Sequence, residues 1–146
     1  MKKVYTTAFA ALLFLLVSCE IEAEKIQYGS DACAFCKMTI VDQQHAAQYV
    51  TNKGKQFKFD AIECMVNDLS EKDVETLAIL LVAAYERPGE MTPAQQATYL
   101  ISEKIKSPMG ANLSAFSAVQ AAKETQSENG GDIYTWPELL QKFDAN

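Results

Sequence analysis

The chain has 146 residues, with 13 Lys+Arg against 19 Asp+Glu, one His, four Cys, five Met, a net charge of −6 and 49% hydrophobic content. That admits one compact domain or a duplicated pair of small subdomains and excludes wholesale disorder. The acidic balance excludes nucleic acid held by phosphate neutralisation, and a single imidazole leaves little material for a His-centred triad or a multi-histidine zinc site, so metal or redox chemistry must run mainly on sulfur.

Lys2 and Lys3 precede the apolar run Ala8 to Val17, too short for the ~20 residues of a spanning helix, so residues 1–18 read as an export signal. The run ends Leu16-Val17-Ser18-Cys19, which resembles the lipobox of bacterial lipoproteins. On that reading Cys19 is the acylated first residue of the mature chain, a lipid anchor rather than a ligand. The protein is then expected on a membrane of the bacterial cell envelope, facing an extracytoplasmic compartment. Loss of Lys2 and Lys3 takes the net charge from −6 to −8. Cys33, Cys36 and Cys64 remain, an odd number for a disulfide framework in an oxidising compartment. At least one thiol stays free unless it pairs outside the chain or binds something.

Residues 19–30 form an acidic acylated tether in which no core is expected, ahead of a folded domain over 31–146. Ala47 to Thr51 and Lys55 to Phe59 flank Asn52-Lys53-Gly54 and read as a hairpin, with Tyr49, Phe57 and Phe59 as β-favouring aromatics. Asp60 with Glu63 three residues later predicts a capping box opening a short helix through Leu69, which carries Cys64 and Met65. Leu77 to Tyr85 is almost continuously apolar and reads as a strand covered on both faces, a short helix being the alternative. Ala97 to Ser102 predicts a strand, leading through Lys104-Ile105-Lys106 to the loop Ser107-Pro108-Met109-Gly110. Ser114 to Thr125 predicts a helix on the spacing of Ala115, Phe116, Ala118, Val119 and Ala122, stopped by Asn129-Gly130-Gly131. Asp132 to Thr135 is a strand candidate, and Thr135, Pro137 and Glu138 predict the cap of a last helix through Phe143. The order strand-strand-helix-strand therefore occurs twice before a terminal helix, an α+β arrangement with no residue-level repeat to accompany it.

Chemistry concentrates in Cys33-Ala34-Phe35-Cys36-Lys37-Met38. Two thiols at this spacing chelate a soft metal or form a redox disulfide, and Met38 adds a thioether. Thiolate plus thioether selects Cu(I) over harder cations. CxxC alone is weak, being shared by zinc knuckles, redox proteins and structural disulfides. His45 by default is a solvated loop imidazole, and Cys64 on an amphipathic helix is by default a buried apolar side chain. Met109, between Pro108 and Gly110, is poorly placed for a core and well placed to meet a metal.

The lipobox, Cys36-Lys37-Met38 followed by Thr39-Ile40, the hairpin ending Phe57-Lys58-Phe59-Asp60, Ser107-Pro108-Met109-Gly110 before Ala115-Phe116, and Gly130-Gly131 before Trp136 together resemble the NosL family over residues 28–143. The resemblance implies two ββαβ units packed together, similar to the organomercurial lyase core. It also implies a non-enzymatic accessory lipoprotein that binds Cu(I) and delivers it to a cuproenzyme client, nitrous oxide reductase. Carried over residue by residue, it places copper ligands at Cys36, Met38 and Met109. Cys33 is an addition to the family pattern, open as a fourth donor, a transfer ligand or a disulfide partner of Cys36. Lys37 stands where the family often has Gly, and its charge is expected to favour the Cys36 thiolate. Two rivals stay open: a thiol-disulfide oxidoreductase using Cys33 and Cys36, and structural zinc on Cys33, Cys36, Cys64 and His45.

Overall fold

The computed structural model describes residues 20–144; the export signal and Cys19 lie outside them. The first unit is a hairpin of β1 (Ala47–Thr51) and β2 (Gln56–Phe59), a helix α1 (Ile62–Leu69), and β3 (Leu77–Ala83). A short strand β4 (Met91–Pro93) continues its sheet, whose order is β2-β1-β3-β4. The second unit is β5 (Thr98–Ile101), β6 (Leu113–Phe116), α2 (Val119–Asn129) and β7 (Asp132–Tyr134), with sheet order β6-β5-β7, and α3 (Trp136–Asp144) ends the described chain.

In both units the first strand is central and antiparallel to its two neighbours, so the strands on either side of the helix are separated by one strand. Each unit is thus a split βαβ with an N-terminal hairpin, which is the ββαβ order expected. The fold is α+β as read from the sequence.

Alternation along β1 and β2 sends Tyr49, Phe57 and Phe59 to one face, where Tyr49 stacks on Phe57 at 4.7 Å and meets Phe59 at 5.4 Å. Helix α1 packs on this face. It buries Ile62, Glu63, Cys64, Met65, Val66 and Leu69, more than one stripe, because β6 and α3 cover its other side. Helix α3 closes the core with Leu139, fully buried, and Trp136, whose ring lies 5.7 Å from that of Tyr99. The units are joined where β3 runs out: Ala84 bridges Ala115, and Tyr85 N–H donates to Ala115 O at 2.8 Å.

Several expectations are corrected. Leu113–Phe116 is a strand, and the helix begins only at Val119. All four residues of β6 are buried, so neither a strand nor a helical alternation shows in their sequence. Along β3, Leu80, Val82 and Ala83 are buried while Leu77, Ile79 and Leu81 are half-buried, so cover on both faces is reached only toward its end. The segment ahead of residue 31 is not free of core: Ile26 is buried, and Gln56 exchanges hydrogen bonds with Glu24 N–H at 3.2 Å and Glu22 O at 2.9 Å. His45 is buried rather than solvated, with its ring nitrogens 3.0 Å from Asp42 Oδ2 and 3.1 Å from Ser114 Oγ, and so ties the two units together.

The Asp60/Glu63 capping box does not form. Ala61 is the N-cap of α1 and makes no side-chain cap bond. The two carboxyl groups are used on loops: Asp60 Oδ1 accepts from Val41 N–H at 3.4 Å, and Glu63 Oε1 accepts from Ser107 Oγ at 2.5 Å and Ala111 N–H at 3.3 Å. By contrast Thr135 and Glu138 do bond at the start of α3, Glu138 Oε2 accepting from both Thr135 N–H and Oγ1 at 2.7 Å.

Candidate metal centre

Residues 32–39 form a tight loop between the N-terminal segment and β1. Ala32 bridges Thr39, Cys33 N–H donates to Met38 O at 2.8 Å, and Lys37 N–H donates to Cys33 O at 3.1 Å. Ala34 N–H donates to Lys58 O at 2.8 Å, which pins the loop to the edge strand β2. Closing so short a turn puts Lys37 at φ 68°, a left-handed conformation that costs a non-glycine residue about 1–2 kcal/mol. That is the physical reason a glycine suits this position.

Helix α1 starts directly after β2, so its first turn faces the loop and delivers Cys64. The sulfurs of Cys33, Cys36 and Cys64 all lie within 4.8 Å of one another, and all three thiols are free. Cys33 and Cys64 are each 1% exposed, whereas Cys36 is only partly covered and is the cluster's opening.

The three thiols are not equivalent. Burial opposes ionisation of Cys33, but the backbone N–H groups of Asp60, Cys36 and Phe35 and the Cys36 thiol outweigh it and hold Cys33 below the ordinary thiol range. Burial raises Cys36, against help from Met38 N–H, and the neighbouring Cys33 raises it further. Cys64 is raised far above the usual thiol range by burial and by the two other sulfurs. The favoured thiolate is therefore Cys33. This corrects the role expected of Lys37, whose ammonium turns back to donate to Ala34 O.

Met38 and Met109 are 54% and 43% exposed, unusual for large apolar side chains, and the loop of Cys36 and Met38 also exposes Phe35 and Val41. Met109 sits in the turn closed by Gly110 N–H to Ser107 O at 3.1 Å, and Glu63, beside Cys64, anchors that turn. Asp60 and Glu63 thus hold Val41, just after the cysteine loop, and the Met109 turn against the same end of α1.

Of the residues singled out from sequence, the structure brings together Cys33, Cys36 and Cys64; the default reading had left Cys64 in the core, and the zinc alternative had grouped it with the other two. The odd cysteine count was a further signal for it. His45 does not join the cluster, because both ring nitrogens are engaged by Asp42 and Ser114. The four-ligand zinc set with His45 is therefore not assembled. The redox reading lacks a helix N-terminus at its CxxC, which lies in a loop instead.

The fold and the cluster define an α+β domain with a three-sulfur centre of the kind that holds a soft metal ion. The family model of NosL matches residues 26–143, and the chain belongs to the NosL family. Its fold is similar to the crystal structure of the copper chaperone NosL from Shewanella denitrificans, with a TM-score of 0.71, 19% identity, and coverage of 82% of this chain and 96% of that one. No curated protein sequence matches the chain.

Proposed function

We propose that the protein is an extracytoplasmic, lipid-anchored carrier of Cu(I) that hands the ion to a cuproenzyme, nitrous oxide reductase being the client implied by the family. The observation that carries the reading is the meeting of three free sulfurs within 4.8 Å at a centre with one open side. Thiolates and thioethers are the donors that bind Cu(I) in preference to zinc or hard cations. Cys36 and Met38 share one short loop, Met109 lies on another, and Cys33 stands beside Cys36 as a further donor.

Such a centre works by ligand exchange. The incoming Cys, His or Met of a client attacks through the open side at Cys36, and one donor of the carrier leaves after the new bond has formed. No covalent bond of an organic substrate changes, so the protein needs no catalytic residue. Exposed Met38 and Met109 keep their donor strength at any pH, because a thioether has no proton to lose. Cys19 supplies the lipid that keeps the carrier at the membrane, in a compartment with no nucleic acid to bind.

The test is an anaerobic Cu(I) titration of the whole chain in detergent against a chromophoric chelator, repeated with Cys36→Ser. One tight equivalent that disappears with Cys36 is the expected result. A chain that loses copper to the chelator and is found with Cys33 and Cys36 reversibly disulfide-linked would replace this reading with the oxidoreductase one.

A further inference from the structure

The cluster is more than the exposed Cys36 with its methionines. Cys64 comes from a rigid helix, and Cys33 and Cys36 come from a loop fixed by backbone hydrogen bonds to β2 and to itself. Two of the three sulfurs are sealed from solvent. Three sulfurs around one d¹⁰ ion, with bonds of about 2.3 Å, lie about 4 Å apart. Sulfurs already within 4.8 Å reach that spacing by side-chain rotation alone.

No carboxylate or imidazole belongs to this group among the described residues, so the donor set is sulfur only and unsuited to a hard cation. Backbone N–H groups of Phe35, Cys36 and Asp60 point at Cys33 and offset the negative charge that several thiolates around one monovalent ion would leave. Met38 and Met109 stand outside this sealed volume, in solvent. Cys36 is the one member of the three that is only half-buried.

We infer that Cys33, Cys36 and Cys64 form a buried three-thiolate site for a soft d¹⁰ cation, with Cys36, the half-buried member, as the sulfur through which the ion is exchanged. The inference rests on the Cu(I)-carrier reading for the identity of the cargo, and not for the sulfur site itself. The ion enters at Cys36, rests among the three sulfurs, and leaves by keeping Cys36 while one donor of the client replaces Cys33 and a second replaces Cys64. At each exchange one bond to copper forms and one breaks, each thiol gives its proton to solvent as it binds and takes one back as it is released, and the ion stays Cu(I) throughout.

The test uses the whole chain, reduced and in detergent, titrated with Cd(II). Thiolate-to-cadmium charge transfer in the ultraviolet counts thiolates and ignores thioethers. The double variant Met38→Leu/Met109→Leu is expected to keep the full absorption. Cys64→Ala is expected to lose about a third of it, and to weaken Cu(I) by more than about tenfold, the least that loss of even a supporting group costs. Absorption and Cu(I) affinity both unchanged in Cys64→Ala would overturn the inference and leave the carrier reading standing. A full three-thiolate cadmium signal from a chain that cannot hold Cu(I) against a chelator would uphold the site and overturn the carrier reading. Should Cys64→Ala fail to fold, X-ray absorption of the unsubstituted, copper-loaded chain decides: three short copper–sulfur bonds uphold the inference, and a single short bond with longer thioether contacts overturns it.

Discussion

Glu63→Ala tests how the fold holds the Met109 loop. Glu63 is buried, and its Oε1 accepts from Ser107 Oγ at 2.5 Å and from Ala111 N–H at 3.3 Å; Ser107 Oγ in turn accepts from Asn112 N–H at 2.8 Å. Truncation leaves the Ser107 hydroxyl and the Ala111 N–H without their acceptor, at about 1–3 kcal/mol for each group that stays buried. Against this, the substitution removes a buried carboxyl oxygen, Oε2, that has no partner, and so relieves part of its desolvation. The longer Ala111 bond is the weaker of the two, so the net loss is about 2 kcal/mol, a fall of roughly 6–10 °C in Tm for a domain of this size. Glu63→Gln keeps an acceptor at Oε1 and is expected to cost less than half as much. Thermal unfolding of the metal-free chain measures both, and ¹³C-methyl NMR of Met109 reports whether its loop has loosened. An unchanged Tm together with an unchanged Met109 signal in Glu63→Ala would refute the anchoring role.

Lys37→Gly is expected to raise stability by about 0.5–1 kcal/mol in urea unfolding, because it relieves the left-handed φ of 68° at some cost in unfolded-chain entropy. Its Cu(I) affinity should be unchanged, since Lys37 turns to Ala34 O, and a tenfold loss would restore the charge-activation role. Gly131→Ala places a Cβ 2.2 Å from Ile101 O at φ +100°; it should destabilise by more than about 2 kcal/mol by breaking the approach of β7 to β5, and a change under 0.5 kcal/mol would contradict that. Burial opposes the Asp42 carboxylate, but the His45 ring and the N–H groups of Gln44 and His45 prevail and hold it below the usual range. Its stabilising contribution is therefore complete above pH ~4 and is lost as pH falls through the lower folded value, so Asp42→Asn should be less stable at neutral pH and should flatten the acid limb of a stability profile. An acid limb as steep as that of the unsubstituted chain would refute this coupling.

Local pattern was readable wherever one face of an element meets solvent or a turn residue marks its end. Tyr49, Phe57 and Phe59 alternate across a hairpin, and Thr135 with Glu138 bond at the start of α3. The pattern fails where tertiary contacts take over a local signal. Asp60 and Glu63 have the spacing of a capping box, yet their side chains are recruited by loops 19 and 44 residues away in the chain. Leu113–Phe116 is buried throughout, which erases the alternation that separates strand from helix. Ile26 looked like part of a polar tether because six residues of 19–30 are charged or polar, and only the packed structure reveals its place in the core.

At the centre itself the CxxC was legible as sulfur chemistry before any fold is known, and the two methionines are exposed side chains, as expected of residues poorly placed for a core. Cys64 was grouped with Cys33 and Cys36 only in the zinc alternative, because a lone cysteine on a helix carries no mark of what its first turn faces. Its place in the cluster comes from the direct passage of β2 into α1, which a linear reading does not convey. Nor does the linear sequence show that the N–H groups of Asp60, Cys36 and Phe35 hold the buried Cys33 thiol below the ordinary range while burial raises Cys36.

The most direct test of the central claim is transfer. The Cu(I)-loaded chain is mixed anaerobically with copper-free nitrous oxide reductase in the presence of a chromophoric chelator too weak to strip the carrier. The account predicts that copper appears in the enzyme while the chelator stays colourless, and that Cys36→Ser abolishes the transfer. Copper passing first to the chelator, or reaching the enzyme equally well from Cys36→Ser, would contradict it.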